Sequence, residues 1–405
     1  MSIAALPMVR RTLHAVLCER ATQYGIVTVT GPRQSGKTTL CRAAFPDRPW
    51  VSLESPDVRR AATDDPRGFL ARYPQGALLD EVQRAPELLS YLQDDIDGLP
   101  DARGRWILTG SHNLLLLKAV SQTLAGRTAL LHLLPLGLDE LPPAWLASRR
   151  WLDLAVEGGY PAPLHRGVPT DVWLGDYVAT YLDRDVRDVL RIGDLHAFER
   201  FGRLCAGRAG QILNLSALGS DAGITHQTAR SWLSVLDATF ITFALQPWSP
   251  NLTTREVKSP KLYFWDTGLL CWLLGLRRAD DLDLHPLRGA VFENFIAVQL
   301  HKQALHTGRR ANLWFYRDGK GLEADLVHVD GVRCAAIEVK SGATVHAEWS
   351  KNLLTLRGRL LQRGMEATLR IVHGGELHGS AQGVAAVPWR AMPGLEPGAD
   401  DGLGM

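Results

Sequence analysis

The chain has 405 residues, of which 46% are hydrophobic and 22% are charged, a balance that is typical of folded globular proteins and excludes a collagen-like or coiled-coil chain. Its 45 Lys and Arg nearly balance its 43 Asp and Glu, so the net charge of +2 gives no overall positive field, and any contact with nucleic acid must use local patches. The five cysteines show no zinc-ligand or disulfide spacing, and no apolar stretch approaches the roughly 20 residues of a spanning helix. We therefore expect a soluble, cytoplasmic protein of about two to four domains, with no membrane partner.

The first third of the chain alternates strands with helical stretches. Residues 11–24 carry apolar side chains at helical spacing and end at Gly25, and a β-branched strand follows at residues 26–30. Further short strands are predicted at residues 50–53, 77–79 and 106–108. This alternation favours an α/β fold built on a parallel sheet.

A glycine-rich motif comes directly after the first strand. Its residues are Gly31, Pro32, Arg33, Gln34, Ser35, Gly36, Lys37 and Thr38, which fit the pattern G-x-x-x-x-G-K-[ST] and lead into a helix at Thr39. In such a loop backbone N–H groups surround the β-phosphate, the lysine contacts the β- and γ-phosphates, and the final hydroxyl binds Mg²⁺. The motif predicts that these residues bind ATP with Mg²⁺.

Polar residues follow the later strands of the same region. Asp80 would hold the water shell of Mg²⁺ and Glu81 would activate the attacking water, with a solvated strand end as the alternative. Ser111 or Asn113 would sense the γ-phosphate, or else cap a helix. Arg127 is a candidate arginine finger, acting in cis or from a neighbouring subunit, with a surface arginine as the alternative.

The rest of the chain divides into a helical middle and a second strand-rich region. Residues 151–245 are predicted to be mostly helical, including a helix at 172–189, and a linker rich in Pro, Ser and Thr covers residues 246–258. Strands are then predicted at residues 313–316, 324–329, 334–339 and 369–372.

Several ordered motifs together resemble a known family. The segments GPRQSGKTT, LLDEVQ, LTGS and LAGR, followed by EGGYP, YLDRDV, SPKLYFWDTGL and FEN, are similar to prokaryotic AAA-type ATPases that carry a C-terminal domain of unknown function. The resemblance implies a P-loop NTPase with a parallel sheet, then a helical and winged-helix region, then a small α/β module similar to PD-(D/E)xK nucleases. The implied divisions are 1–140 for the ATPase domain, 141–250 for the winged-helix domain, 251–285 for a connecting segment, 286–390 for the nuclease-like domain and 391–405 for a disordered tail.

The winged-helix part of this resemblance can be compared with individual residues. Residues 214–236 predict helix, glycine turn and helix, with Thr225 as the N-cap of the second helix. Gln227, Thr228 and Arg230 would face outward and contact DNA in a major groove. Packing against other protein is the alternative.

The nuclease-like part depends on three carboxylates and a lysine. Asp325 and Glu338 lie on neighbouring predicted strands and Glu293 on a preceding helix, so the three would hold a divalent ion, with Glu323 as a substitute ligand. Lys340 would orient or help deprotonate a water for phosphodiester hydrolysis. A docking module that does not cleave, in which Lys340 only forms an ion pair, is the alternative.

These observations lead to a functional hypothesis with two rivals. The first is an ATP-hydrolysing motor or remodeller that acts on DNA, with branched DNA as one candidate substrate, assembled as a homo-oligomer for which a ring is one arrangement. The second is a nucleotide-dependent switch that regulates a protein partner. The third is a metal-dependent nuclease gated by ATP.

Overall fold

The computed structural model describes residues 9–111, 123–181, 194–249 and 257–392, and every structural statement below concerns these ranges. Asn113, the later part of the helix predicted at 172–189, most of the predicted linker and the tail from residue 393 lie outside them. Within the described ranges, no helix combines the length and the apolar character needed to cross a membrane.

A parallel sheet forms the amino-terminal unit. Five strands in the described residues take the order β2-β3-β4-β1-β5, and all of their pairings are parallel. The strands are β1 (Ile26–Gly31), β2 (Trp50–Ser52), β3 (Ala77–Asp80), β4 (Trp106–Ser111) and β5 (Thr128–His132). The helices of this unit are α1 (Leu13–Gln23), α2 (Lys37–Ala44), α3 (Pro56–Asp64), α4 (Pro66–Ala71) and α5 (Leu88–Asp97). The predicted parallel α/β sheet is confirmed.

The strand sequences explain how the sheet is covered. Strands β1, β3 and β4 are buried along their whole length, which is why each reads as a nearly continuous apolar run. Neighbouring β1 residues point to opposite faces of the sheet. Ile26 packs in the hydrophobic cluster that contains Leu88 of α5, and Val27 packs in the cluster that contains Leu13 of α1. Helices therefore cover both faces, and the carboxyl ends of the strands form one open edge.

The middle of the chain is helical and includes a short two-stranded sheet. Its helices are α6 (Pro143–Ala147), α7 (Trp151–Glu157), α8 (Pro161–Arg166), α9 (Thr170–Tyr181), α10 (Leu195–Ala206), α11 (Leu215–Ala222), α12 (His226–Ala238), α13 (Thr267–Leu273) and α14 (Ala279–Asp283). Between α12 and α13, strands β6 (Thr242–Leu245) and β7 (Lys261–Phe264) pair in antiparallel fashion. The part of the chain predicted as a connecting segment thus contributes β7, α13 and α14.

The carboxy-terminal unit begins with the 19-residue helix α15 (Arg288–His306). It continues with β8 (Leu313–Arg317), β9 (Glu323–Asp330), β10 (Arg333–Lys340), α16 (Lys351–Leu361), β11 (Glu366–His373), β12 (Gly379–Ala381) and β13 (Val384–Pro388). These strands form a mixed sheet in the order β12-β13-β11-β10-β9-β8. One large hydrophobic core includes Phe264 of β7, Phe292 of α15 and Ile337 of β10, so the middle and the carboxy-terminal unit pack as one body.

Candidate functional site

The loop between β1 and α2 has the backbone geometry of a phosphate cradle. Gly31 and Gly36 adopt φ angles of +152° and +94°, and a Cβ at residue 31 would collide with the carbonyl oxygen of Leu133. Glycine is therefore required at position 31. Gly36 is also the N-cap of α2, so the amino terminus of this helix adds its N–H groups and its dipole to the loop.

Lys37 lies folded back on the same loop. Its Nζ donates to the carbonyl oxygens of Gly31, at 3.0 Å, and Pro32, at 2.8 Å. Burial lowers the pKa of Lys37 to about 8, against the opposing charges of Glu81 and Asp80. A cation that only carbonyl groups hold in place is available to the β- and γ-phosphates of a nucleotide.

Thr38 and Asp80 meet at the edge of the sheet. The Thr38 hydroxyl donates to Asp80 Oδ1 at 2.9 Å, and Thr109 donates to the same oxygen. Hydroxyl and carboxylate oxygens are the hard ligands that Mg²⁺ prefers, and this ion usually binds few protein groups together with phosphate oxygens. The donor set therefore fits Mg²⁺, and Thr38 and Asp80 are the residues that would hold it.

Glu81 occupies the next position in an unusual backbone conformation. Its φ of +58° lies in the left-handed region, where strain is typical of functional positions. Ser111 at the end of β4 donates to Glu81 Oε2 from its N–H, at 3.4 Å, and from its hydroxyl, at 3.2 Å. Gln83 donates to the same carboxylate and, at 2.9 Å, to Ser111 Oγ. The predicted base and the predicted γ-phosphate sensor are thus in direct contact, and Gln83, for which the sequence suggested no role, bonds to both.

Arg11 supports the loop from the protein interior, and sequence reasoning missed it. Its guanidinium donates to the carbonyl oxygens of Ser35 and Leu134, each at 2.7 Å, and to Glu140 at 2.9 and 3.2 Å. His306, at the end of α15, lies 3.3 Å from the same Glu140 carboxylate. The main chain of the phosphate cradle is therefore tied to a buried ion pair that a carboxy-terminal helix helps to form.

A second wall faces the cradle across a cleft of about 710 Å³. Arg33, Gln34, Thr38, Thr39 and Glu81 line one side, and the other side consists of α8 and α9 with His165, Arg166, Trp173, Asp176 and Tyr177. The Trp173 and Tyr177 rings stack with their centroids 5.1 Å apart, which fixes the aromatic surface of this wall. Since the motifs EGGYP and YLDRDV reach only the first residue of α8 and the last residue of α9, the sequence alone did not connect these helices with the cradle.

Arg127 lies away from this site. It directly precedes β5, whose residue Thr128 pairs with Ile26 at the opposite end of β1 from Gly31. There it forms an ion pair with Asp97 at 2.6 Å on the protein surface. The structure does not support the predicted role in cis, because the sheet separates Arg127 from the cradle. A role in a neighbouring subunit stays a prediction.

Comparisons with known proteins agree with this geometry. The model of a family described as "AAA domain" matches residues 23–141. The chain is 32% identical over 381 residues to the uncharacterized protein Rv2008c of Mycobacterium tuberculosis, in an alignment that covers 92% of this chain and 82% of the relative. The protein Mb2031c of Mycobacterium bovis gives the same figures. The chain belongs to the family of these mycobacterial proteins. Its amino-terminal unit is an AAA-type P-loop ATPase domain.

Other matches are of two kinds: family models for the rest of the chain, which carry no assigned role, and solved structures of low sequence identity. Two models described as domains of unknown function, DUF8612 and DUF4143, match residues 148–280 and 288–392. Among solved structures, the Walker-type ATPase PABY2304 of Pyrococcus abyssi is 15% identical with a TM-score of 0.45, covering 67% of this chain and 99% of that one. The STAND protein PH0952 of Pyrococcus horikoshii is 12% identical with a TM-score of 0.27, covering 75% of this chain and 46% of that one.

Within the region matched by DUF8612, α11 and α12 form the predicted helix-turn-helix. Gly223 adopts a φ of +72° between them, and the Thr225 hydroxyl accepts from Thr228 N at 3.1 Å as the N-cap of α12. Gln227 and Arg230 are exposed and Thr228 is half-buried, whereas Trp232 and Leu233 face the core. The exposed face of α12 is therefore the one that the sequence predicts to point outward. Its role in DNA binding stays a prediction.

Within the region matched by DUF4143, the predicted carboxylates converge but are paired with lysines. Glu293 contacts Lys261 at 2.9 Å, and Lys340 contacts Glu338 at 2.5 Å and Asp325 at 3.8 Å. Burial raises the pKa of Glu293, and the charge of Asp325 adds to this shift. Across the described ranges, no three His, Cys, Asp or Glu side chains are arranged to hold a metal ion. The predicted carboxylates are therefore engaged in ion pairs rather than arranged around a metal position, while Glu338 Oε2 is buried with no hydrogen-bond partner.

Proposed function

We propose that this chain binds ATP with Mg²⁺ between the cradle and the wall formed by α8 and α9, and hydrolyses it there. The observation that carries the proposal is the meeting of Lys37, Thr38, Asp80, Glu81 and Ser111 at one edge of the sheet. A triphosphate needs such a combination of cation, metal ligands and base in one place.

Each residue has a distinct task in this proposal. Lys37 leaves the loop carbonyls and contacts the β- and γ-phosphates. Thr38 and Asp80 hold Mg²⁺, which draws electron density from the phosphates when it is bound. Glu81 orients the attacking water and accepts its proton, while Ser111 and Gln83 keep the carboxylate at the edge of the sheet.

The second wall supplies contacts that depend on the nucleotide. Arg166 and His165 place basic side chains across from the phosphates, and Trp173 offers an aromatic surface for a base. Because these groups belong to the helical middle, a triphosphate that bridges both walls favours a closed cleft. Loss of the γ-phosphate would weaken this closure and so convert hydrolysis into motion.

The proposal is tested by phosphate release at saturating ATP and Mg²⁺. Lys37→Ala is expected to abolish nucleotide binding, seen as loss of the rise in melting temperature that ATP gives the parent. Glu81→Gln is expected to keep binding within about threefold and to lower turnover by at least about 100-fold. Glu87→Gln is the matched control, since this exposed carboxylate is not among the residues that line the cleft, and it should retain activity. Equal phosphate release by the parent and Lys37→Ala would refute the proposal.

We further propose DNA as the target of this motion, with α12 as the contact. The supporting observation is the exposed face of α12 that carries Gln227 and Arg230 beside the well-capped start of the helix. Fluorescence polarisation with single-stranded, duplex and junction DNA at about 50 mM salt should show binding that Arg230→Ala weakens about 5- to 10-fold. Arg72→Ala, at an exposed arginine of the amino-terminal unit, is the control. Absence of binding to every DNA at this salt rejects the DNA proposal but leaves the ATPase proposal intact.

A further inference from the structure

Lys261 is a buried cation at the junction of three elements. It begins β7, where its backbone pairs with Leu245 of β6, and its side chain is only 3% exposed. Its Nζ lies 2.9 Å from Glu293 Oε1 of α15 and 2.7 Å from Glu323 Oε1 of β9. The ammonium group also lies 5.4 Å from the centre of the Phe315 ring, so an aromatic face covers one side of it.

The carboxylates around Lys261 have further partners that hold them in place. Tyr263, two residues along β7, donates to Glu293 Oε1 at 2.5 Å. Arg317 contacts Glu323 at 3.2 Å. Asp325 Oδ2 accepts from the backbone N–H of Val339 at 2.8 Å. Each of these acidic side chains is therefore oriented by a neighbour other than Lys261, and the Lys261 ammonium lies between the oxygens of Glu293 and Glu323.

We infer that Lys261 is the resident cation between Glu293 and Glu323, two of the carboxylates that the nuclease-like resemblance offers to a divalent ion. An ammonium group and a metal ion would compete for the same oxygens of Glu293 and Glu323. To admit a metal, the protein would have to break two short, buried ion pairs and leave Lys261 without a counter-charge, which is strongly unfavourable. A divalent ion is consequently excluded from the position between Glu293 and Glu323. This inference is independent of the proposed ATPase function.

Lys261 also joins parts of the chain that are distant in sequence. Glu293 lies 32 residues further along the chain, and β9 is reached only after the whole of α15 and β8. The single ammonium group therefore links β7 of the middle region to both the helix and the sheet of the carboxy-terminal unit. Its removal should affect folding of this body as well as its electrostatics.

The experiment compares thermal unfolding of full-length variants. Lys261→Met keeps most of the length of the side chain but leaves the buried Glu293 without a cationic partner and Glu323 with Arg317 alone, and it should lower the melting temperature by at least about 5 °C. Adding Glu293→Gln to Lys261→Met removes one excess negative charge and should restore at least half of this loss. Lys258→Met is the matched control at an exposed lysine of the same segment, and it should leave the melting temperature unchanged.

A second measurement does not depend on the stability of the Lys261 variants. Mn²⁺ is titrated into the nucleotide-free parent and into Glu293→Gln, with heat of binding as the readout. We expect identical titrations, because Lys261 fills the cluster in the parent. A stoichiometric Mn²⁺ site in the parent that Glu293→Gln or Glu323→Gln removes would overturn the inference. A Lys261→Met variant as stable as the parent, or one that Glu293→Gln does not restore, would also overturn it.

Discussion

Arg11 illustrates at the scale of a single residue how the cradle is held in shape. Its guanidinium joins the carbonyl oxygen of Ser35 to the buried carboxylate of Glu140. Arg11→Ala would leave the buried Glu140 with His306 but without its arginine, and removal of one partner of a buried pair costs about 3 kcal/mol or more of stability. The loop would also lose its support, so we expect kcat/KM for ATP hydrolysis to fall about 10- to 100-fold.

The measurements separate positioning of the loop from general stability. Steady-state kinetics would be recorded well below the melting temperature of each variant. Arg11→Lys retains the charge but not the fork of donors, so it should recover more stability than activity. Arg10→Ala, at the exposed neighbouring arginine, should match the parent in both. If Arg11→Ala retained parental kcat/KM, Arg11 would have no part in shaping the cradle.

The same scale shows which site residues a sequence can reveal. The motif residues from Gly31 to Thr38 follow one another along a single loop, so their spacing alone predicts their common task. Arg11 and Glu140 are 129 residues apart, and Gln83 reaches Ser111 across 28 residues. Such pairs meet only through the fold, and no local pattern marks them. In the sequence, Lys261 belongs to the family motif SPKLYFWDTGL, but nothing there indicates its role. Its carboxylate partners became apparent only in the structure.

At the scale of elements, α12 carries a carboxyl group whose charge is unfavourable. Burial raises the pKa of Asp237 from 3.8 to about 6, although the Thr242 hydroxyl donates to the carboxylate. Between about pH 4 and pH 6 the folded state therefore holds this proton more tightly than the unfolded state. The free energy of unfolding decreases as the pH rises through this window, and the full cost is present above about pH 6.

Asp237→Asn should remove this cost while keeping an oxygen that accepts from Thr242. We expect the variant to gain roughly 1 to 2 kcal/mol in free energy of unfolding at pH 7.5 and about a third of that at pH 4.5. Urea denaturation at both values measures the difference. Asp101→Asn, at an exposed turn, provides the control and should show no such dependence on pH. An equal gain at both pH values would contradict the assigned cause.

Elements differ in how well the sequence predicts them, for a physical reason. Strands β1, β3 and β4 are buried on both faces and read as apolar runs, so they were predicted close to their observed bounds. Strand β7 has only four residues and begins with a lysine, and its segment was predicted as a connection. Its place in the fold depends on pairing with β6 and on the carboxylates around Lys261, neither of which is a local property.

At the scale of the whole molecule, α15 connects the two ends of the chain. Its residue His306 contacts the Glu140 carboxylate that supports the cradle, and its residue Glu293 belongs to the carboxylate cluster. These two positions are 13 residues apart along the chain, which corresponds to about 20 Å of continuous helix. A change at the cradle that reaches Glu140 therefore has a rigid element through which it can act on the carboxy-terminal unit. This is a path of contacts, and double-mutant cycles between Arg11 and Lys261 would measure the coupling along it.

The shared core also predicts that the middle of the chain cannot fold alone. Phe292, Phe295 and Ile296 of α15 pack with Tyr263 and Phe264 of β7 in one hydrophobic cluster. A chain that ends at residue 287 would expose this cluster, so we expect it to be insoluble or to melt without cooperativity. A chain that ends at residue 392 keeps all of these side chains and is the matched control, with one or more cooperative transitions in calorimetry. Recovery of the shorter chain as a soluble protein with a cooperative transition from its helical middle would show that the two regions fold independently.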